Sequence, residues 1–408
     1  MTGAGAASGG EAGRPLAEYT TLRVGGPAAR LVEAATREEL LTAAREAWNS
    51  PEDWLLLGGG SNMVVADEGF DGTVVRVATR GIERLPDAPI RMPEPGTETS
   101  PIALRPGPRE RTVRLRVAAG EPWDAVVEHA VENGWAGIEA LSGIPGSAGA
   151  APVQNIGAYG QELGSSLVAI EFLDFATGEL ERIPHGELGL GYRTSALKQG
   201  RLGLVVGLEL ALFEGDAVGA GAGAGGALGQ PIAYPQLADA LGVRLGDRVP
   251  VRQARAAVLE LRAAKGMLWD PADPDSASAG SFFTNPVVSE NFARGLPADA
   301  PRWPTAPEER PRVLPLGAEV PPLARPASGE YLVKLSAAWL IEHAGIPRGF
   351  ALPGSRAAIS SRHTLAITNR GGATAAEVVQ LAGFVRTRVL SEFGVALQPE
   401  PVLVGVEL

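Results

Sequence analysis

Two runs of small residues constrain this chain more than anything else in it. The longer is Ile144-Pro145-Gly146-Ser147-Ala148-Gly149-Ala150-Ala151-Pro152-Val153-Gln154-Asn155-Ile156-Gly157-Ala158-Tyr159-Gly160. Side chains this small let a backbone lie flat against a planar ring or a diphosphate. The shorter, Gly58-Gly59-Gly60-Ser61-Asn62, follows an apolar strand pattern at 54–57. Its glycines allow backbone N–H groups to approach a ligand and form an anion-binding concavity, and Ser61 and Asn62 add side-chain donors. Neither run is a standard nucleotide fingerprint. Gly58-x-Gly60 should meet a third small residue at 63, but Met63 stands there and no helix follows; the longer run lacks the Lys-Ser/Thr of a P-loop. On these residues alone, a tight turn and a structural loop stand beside phosphate binding.

Composition narrows the chemistry. A chain of 408 residues exceeds one ordinary core, so two or more domains are expected. The net charge is −11 with no basic tract, which argues against nucleic acid as a partner. An anionic ligand would need local donors rather than a global positive field. There is no cysteine, which excludes disulfides, thiolate catalysis, zinc–thiolate sites and iron–sulfur clusters. The four histidines, His129, His185, His343 and His363, are scattered without ligand spacing, so no metal is expected. Residues 1–14 read as a disordered tail without the apolar run of a signal peptide. No window approaches the roughly 18 apolar residues of a membrane helix. A soluble, cytoplasmic protein without membrane contact is the expectation.

The elements read as a mixed α+β chain. Strands are expected at 31–35, 54–57, 63–65, 73–77, 113–118, 170–175, 180–183 and 204–212, with helices at 36–48 and 123–132. Helices follow at 252–265, 333–343 and 374–393, with strands at 365–368 and 402–404. Thr36-x-x-Glu39 and Thr374-x-x-Glu377 are capping boxes. Gly266 suits the position just past a helix end. Residues 86–110 and 297–328 are Pro-rich and read as insertions; 214–231 reads as an Ala/Gly linker. The expected division is a first domain at 15–213 and a second at 232–408.

The two glycine runs, in this order, resemble the FAD-binding segments of the UDP-N-acetylenolpyruvoylglucosamine reductase family. Tyr19-Thr20-Thr21-Leu22-Arg23-Val24-Gly25-Gly26 is similar to its entry segment. Gly191-Tyr192-Arg193-Thr194-Ser195, Gly280-Ser281-Phe282-Phe283-Thr284-Asn285-Pro286 and Pro399-Glu400-Pro401 look like its later signatures. The resemblance implies a two-part FAD-binding domain of the vanillyl-alcohol-oxidase type, then a smaller α+β substrate-binding domain. Non-covalent FAD would lie on Gly58, Gly59, Gly60, Ser61, Asn62 and Met63 from the first loop. The second would add Ile144, Pro145, Gly146, Gly149, Ala150, Asn155, Gly157 and Ala158.

The reaction implied is NADPH-dependent reduction of the UDP-sugar UDP-N-acetylglucosamine enolpyruvate to UDP-N-acetylmuramate, a peptidoglycan precursor, by a monomer. Hydride passes from flavin N5 to the enol ether methylene carbon, and the resulting enolate takes a proton. A planar, permanently charged fork suits a carboxylate, and by resemblance Arg193 holds the enolpyruvyl carboxylate. Alone it would read as a surface arginine after a turn. Ser281 is taken as the proton donor, although alone it is a turn serine before two core phenylalanines. Glu400, stiffened by Pro399 and Pro401, would polarise the substrate or support proton delivery. Tyr192, Lys265, Asn285 and the mobile-loop residue Tyr234 are the implied substrate contacts. Arg262 reads only as a cation compensating a helix end. A different FAD-dependent oxidoreductase on the same flavin domain is the alternative, disfavoured by the Gly-Ser-Phe-Phe and Pro-Glu-Pro signatures.

Overall fold

The computed structural model describes residues 13–86, 111–214, 226–305 and 331–408. The expected tail up to residue 12, nearly all of the first Pro-rich stretch, 215–225 of the Ala/Gly tract and 306–330, which takes in most of the second Pro-rich stretch, lie outside the described residues.

A parallel three-stranded sheet comes first, in the order Ala28–Ala34, Phe70–Val77, Asp53–Leu57. The helix Arg37–Asn49 starts at Thr36, whose side chain accepts the Glu39 N–H while Glu39 reaches back to the Thr36 N–H. Its buried residues Leu40, Ala43, Ala44 and Ala47 meet Val75 on one side and Leu173, Leu204 and Val206 of a second sheet on the other. This helix therefore joins two sheets through one apolar cluster. The second sheet is antiparallel, ordered Leu180–Pro184, Leu167–Asp174, Gly203–Glu214, Arg111–Ala118, Ile82–Arg84. Its far face packs on the helix Trp123–Glu132 and on Ala148 and Ala151 of the long small-residue run.

The C-terminal part has its own core. An antiparallel sheet, Val287–Ser289, Leu332–Leu335, Arg302–Thr305, packs with the helices Ala337–His343 and Ala375–Phe393 and the hairpin Ala357–Ile359/Ile367–Asn369. The expected helix at 333–343 is corrected here. Leu332–Leu335 alternates buried and half-buried residues as a strand does, and Ser336 then caps a shorter helix by accepting the Trp339 N–H. The last strand, Val402–Val404, returns to pair in parallel with Met63–Val65. The chain's end is thus stitched beside the first glycine run.

Residues 226–266 depart from the expected division. Ala227 is buried, the Gly229 N–H donates to the Val249 carbonyl, and Gln230 N–H to Glu139. The tract's last residues therefore belong to the fold rather than to a linker. The helix Val251–Ala264 puts Val251 into the core of the second sheet and Ala254, Ala257 and Val258 against Ala140 and Leu237. Arg255 grips Asp124 through two bonds, 2.6 and 2.9 Å. Periodicity shows that a helix has an apolar face, but not which domain that face will meet. No described helix is long and apolar enough to cross a membrane.

Candidate active site

The two glycine runs press against each other. A Cβ on Gly59 would lie 2.6 Å from Gly146 Cα, and one on Gly58 2.4 Å from Ser147 Oγ. Gly60 has φ +59, and a Cβ there would sit 2.0 Å from the Tyr19 carbonyl oxygen. Only glycine fits such approaches. Ser61 Oγ donates to the Pro145 carbonyl at 3.1 Å, and the Thr21 N–H to the Gly60 carbonyl at 3.1 Å, so the entry segment braces the loop. The N–H groups of Gly59, Gly60, Ser61, Asn62, Gly146 and Ser147 have no hydrogen-bond partner among the described residues. Unpaired amides gathered on two touching loops form an electropositive cradle suited to a diphosphate. Ser147 in this cradle was not singled out from the sequence.

Other positions in the runs have structural work. Met63 is buried in the core with Leu16 and Val404, so only its backbone faces the loop. Gly149 lets the run lie on Ala119: its N–H donates to that carbonyl at 2.7 Å. The Asn155 carboxamide is fully engaged, accepting from the Gly164 N–H and donating to Glu162 and the Gly191 carbonyl. Its contribution to a ligand is confined to its backbone.

Arg193 and Glu400 come together from opposite halves of the chain. Arg193 Nε lies 3.5 Å from Glu400 Oε1, and Nη2 donates to the Gly157 carbonyl at 3.0 Å. Arg193 adopts φ 55 and Tyr159 φ 48, left-handed conformations that cost such residues roughly 1–2 kcal/mol, while Asn155 at φ 45 is a residue type that tolerates them. Two strained residues thus lie in the segments that meet around the Gly157 carbonyl and Glu400. Glu400 is held on both sides. Its N–H donates to the Phe282 carbonyl at 2.9 Å, and its own carbonyl accepts from Asn62 Nδ2 at 3.2 Å. Burial raises the Glu400 carboxyl above its ordinary value, opposed by Arg193 and Lys198.

Ser281 neighbours the same strip. The Phe282 N–H donates to the Leu365 carbonyl at 2.7 Å and the Thr284 N–H to the Gln398 carbonyl at 3.1 Å, while Phe282 and Phe283 sink into the core. Ser281 Oγ lies 3.3 Å from His363 Nε2. Burial pushes His363 down to about 4, helped by the cations Lys265, Arg262 and Arg348.

The expected substrate contacts form two groups. In one, Tyr192 lies beside Asn285, with the Lys334 ammonium 4.7 Å above its ring. Asn285 Oδ1 accepts the Ala337 N–H at the start of the helix Ala337–His343. In the other, Tyr234 meets Tyr159 edge-on at 5.8 Å, and Lys265 lies 5.5 Å from the Tyr159 ring while donating to Gln236. Burial and Arg262 lower the Lys265 ammonium. Arg262 itself corrects the sequence reading. It is buried, and its Nε donates to the Gly143 carbonyl at 3.0 Å, so it ties the helix to the small-residue run rather than compensating a solvated helix end. His363, Lys334 and Tyr159 went unmarked in the sequence because each acquires its neighbours only by tertiary contact.

Comparison with known proteins agrees with this layout. A family model described as an FAD binding domain matches residues 28–184, and one described as the C-terminal domain of UDP-N-acetylenolpyruvoylglucosamine reductase matches 271–404. The protein of that name from Leifsonia xyli subsp. xyli is 60% identical over 96% of this chain and 98% of its own length. Its counterpart in Saccharopolyspora erythraea is 46% identical over 97% and 96%. The crystal structure of the reductase from Thermus caldophilus superposes with a TM-score of 0.55 at 25% identity, covering 97% of this chain and 99% of that one.

Proposed function

The chain belongs to the UDP-N-acetylenolpyruvoylglucosamine reductase family, an FAD-dependent oxidoreductase family, and from that premise we propose that it makes UDP-N-acetylmuramate from UDP-N-acetylglucosamine enolpyruvate in the cytoplasm, with NADPH as reductant. One observation carries the reading. Arg193 meets Glu400 directly, the Glu400 N–H bonds the carbonyl of Phe282 next to Ser281, and the Glu400 carbonyl is held by Asn62 of the first glycine loop.

The unpaired amides of the two glycine loops fit the FAD diphosphate, and Ser61 and Asn62 fix the loop that presents them. Bound there, FAD would supply the two-electron redox chemistry that links NADPH to the enol ether. The chain's own residues do the rest. Arg193 holds the substrate carboxylate, where negative charge grows as the enolate forms. Its fork is pre-aimed by the Gly157 carbonyl and by Glu400. Ser281 gives its hydroxyl proton to the enolate carbon; a hydroxyl is a weak acid, but a carbanion-like enolate is a strong base. Glu400 keeps Arg193 aligned. Lys265, Tyr234, Asn285 and Tyr192 hold the UDP portion, with Lys265 facing the diphosphate.

A stopped-flow experiment tests the proposal. Anaerobic NADPH should bleach flavin absorbance, and the enolpyruvyl sugar nucleotide should restore it with UDP-N-acetylmuramate as product. A flavin that bleaches but is not reoxidised by this substrate would point to the other oxidoreductase reading.

A further inference from the structure

One side chain beside Ser281 has no part in the reaction as described. We propose that His363 is a positioning residue for the Ser281 hydroxyl: its Nε2–H donates to Ser281 Oγ, turning the hydroxyl proton toward the substrate and holding the alkoxide left when that proton departs. This rests on the reading of Ser281 as proton donor.

The geometry is built rather than incidental. Oγ and Nε2 are 3.3 Å apart. The turn that carries His363 is tied down at nearly every residue. The N–H groups of Arg362 and His363 both donate to Oγ of Ser360, which is fully buried. Asp275 accepts the Ser361 N–H at 2.8 Å, the Ser361 hydroxyl at 2.5 Å and Arg362 Nε at 3.3 Å. The Ala366 N–H closes the turn on the His363 carbonyl at 3.0 Å. On the other side, Ser281 is anchored through the Phe282–Leu365 backbone bond. The backbone that carries each partner is therefore anchored, so the pair is presented from fixed turns rather than from a free loop.

Charge bears on whether the ring can act as a base, and its tautomer sets the direction of the hydrogen bond. A histidine beside a serine can act as a general base that removes the hydroxyl proton. That role needs a stable imidazolium. The charged groups that bear on the ring are the cations Lys265, Arg262 and Arg348, and with burial they keep it neutral near pH 7. A neutral ring has two tautomers, and the proposal assigns this one Nε2–H toward Oγ, where it donates and cannot accept. The step balances without further reagents. The Ser281 O–H bond breaks with its electrons left on oxygen, the enolate pair forms the new C–H bond, and water returns a proton to the alkoxide afterwards. His363 neither gains nor loses a proton overall.

The test uses holoenzyme loaded with FAD and reduced by NADPH. His363→Ala should leave flavin content and reduction by NADPH unchanged while slowing reoxidation by the enolpyruvyl substrate on the order of tenfold to a hundredfold. His363→Gln, whose amide N–H reaches a comparable point, should recover most of that loss. In a Ser281→Ala background, removing His363 should add nothing, because the hydroxyl it serves is gone. With only four histidines in the chain, 15N NMR of histidine-labelled protein should show one ring protonated at Nε2 whose signals shift in Ser281→Ala. Wild-type reoxidation in His363→Ala, no recovery with Gln, or an equal loss in the Ser281→Ala background each overturns the proposal while leaving Ser281 its role. An Nδ1–H tautomer for that ring overturns it whether or not the Ala variant folds. Normal reoxidation in Ser281→Ala alone removes the reading beneath it.

Discussion

Glu400 Oε1 sits 3.5 Å from Arg193 Nε, and both side chains are largely buried. The guanidinium also donates to the Gly157 carbonyl, so in the proposed role the cation is aimed in advance of its ligand. Arg193→Ala should lower kcat/KM for the enolpyruvyl substrate on the order of a hundredfold to a thousandfold, the usual loss for a donor serving a developing oxyanion. Arg193→Lys should recover little, because an ammonium cannot reproduce the fork. NADPH reduction of the flavin should be unchanged in both. Steady-state and half-reaction kinetics check this, and equal loss in both half-reactions would contradict the assignment.

The glycine cradle gives a second expectation. Gly59→Ala puts a Cβ 2.6 Å from Gly146 Cα, backbone against backbone, so the loops must separate. Flavin retained after gel filtration, read as the ratio of absorbance near 450 nm to that at 280 nm, should fall severalfold. Gly186→Ala is the control: nothing lies within 4 Å of its Cβ, and flavin should be retained. Full flavin content in Gly59→Ala would mean that the close loop contact is not needed to hold the cofactor.

Local features were legible in the sequence and tertiary ones were not. The capping boxes at Thr36 and Thr374 form as written, because the donors and acceptors lie within one turn. The glycine runs could be recognised as loops, since no other residue tolerates such approaches. The pairing of Val402–Val404 with Met63–Val65 could not be read, because three apolar residues carry no partner's address. The same holds for His363. Its neighbours in sequence are Arg362 and Thr364, whereas its chemistry comes from Ser281 and Lys265. Arg193 and Tyr159 in left-handed backbone are invisible to residue preference, which argues against those conformations.

The ion pair that docks the helix Val251–Ala264 gives a third. Asp124 accepts two bonds from Arg255 and one from the Gly143 N–H, which together hold its carboxyl below the ordinary value against burial. Lys265 stands at the end of that helix. Asp124→Asn should cost about 1–3 kcal/mol of stability, in the range between exposed and buried pairs. It should also raise KM for the UDP-sugar more than it lowers kcat, because Lys265 loses its footing while Ser281 and Arg193 keep theirs. Denaturant midpoints and initial rates check both parts. A change in kcat alone would detach Asp124 from substrate binding.

The depressed His363 makes a fourth expectation, for stability against pH. The folded ring titrates at about 4, whereas in the unfolded chain it titrates near 6.5. Between those values the unfolded state carries a proton that the folded state lacks, so stability increases with pH there and drains away as pH falls below about 6.5. At pH 5 the loss from this one group is at most about 2 kcal/mol. Unfolded carboxylates are still mostly ionised at that pH, so they obscure the effect little. His363→Gln has no such group, and its denaturant midpoint should change less between pH 7 and pH 5 than that of the wild type. Glu400 works in the opposite sense: its carboxyl is raised above 4.5, so the folded state holds its proton to higher pH and gains stability as pH falls. Glu400→Gln should therefore make the chain more acid-sensitive over the same interval, while His363→Gln makes it less so. Identical pH slopes for the wild type and both variants would mean that neither group is shifted in the folded protein and that water reaches both.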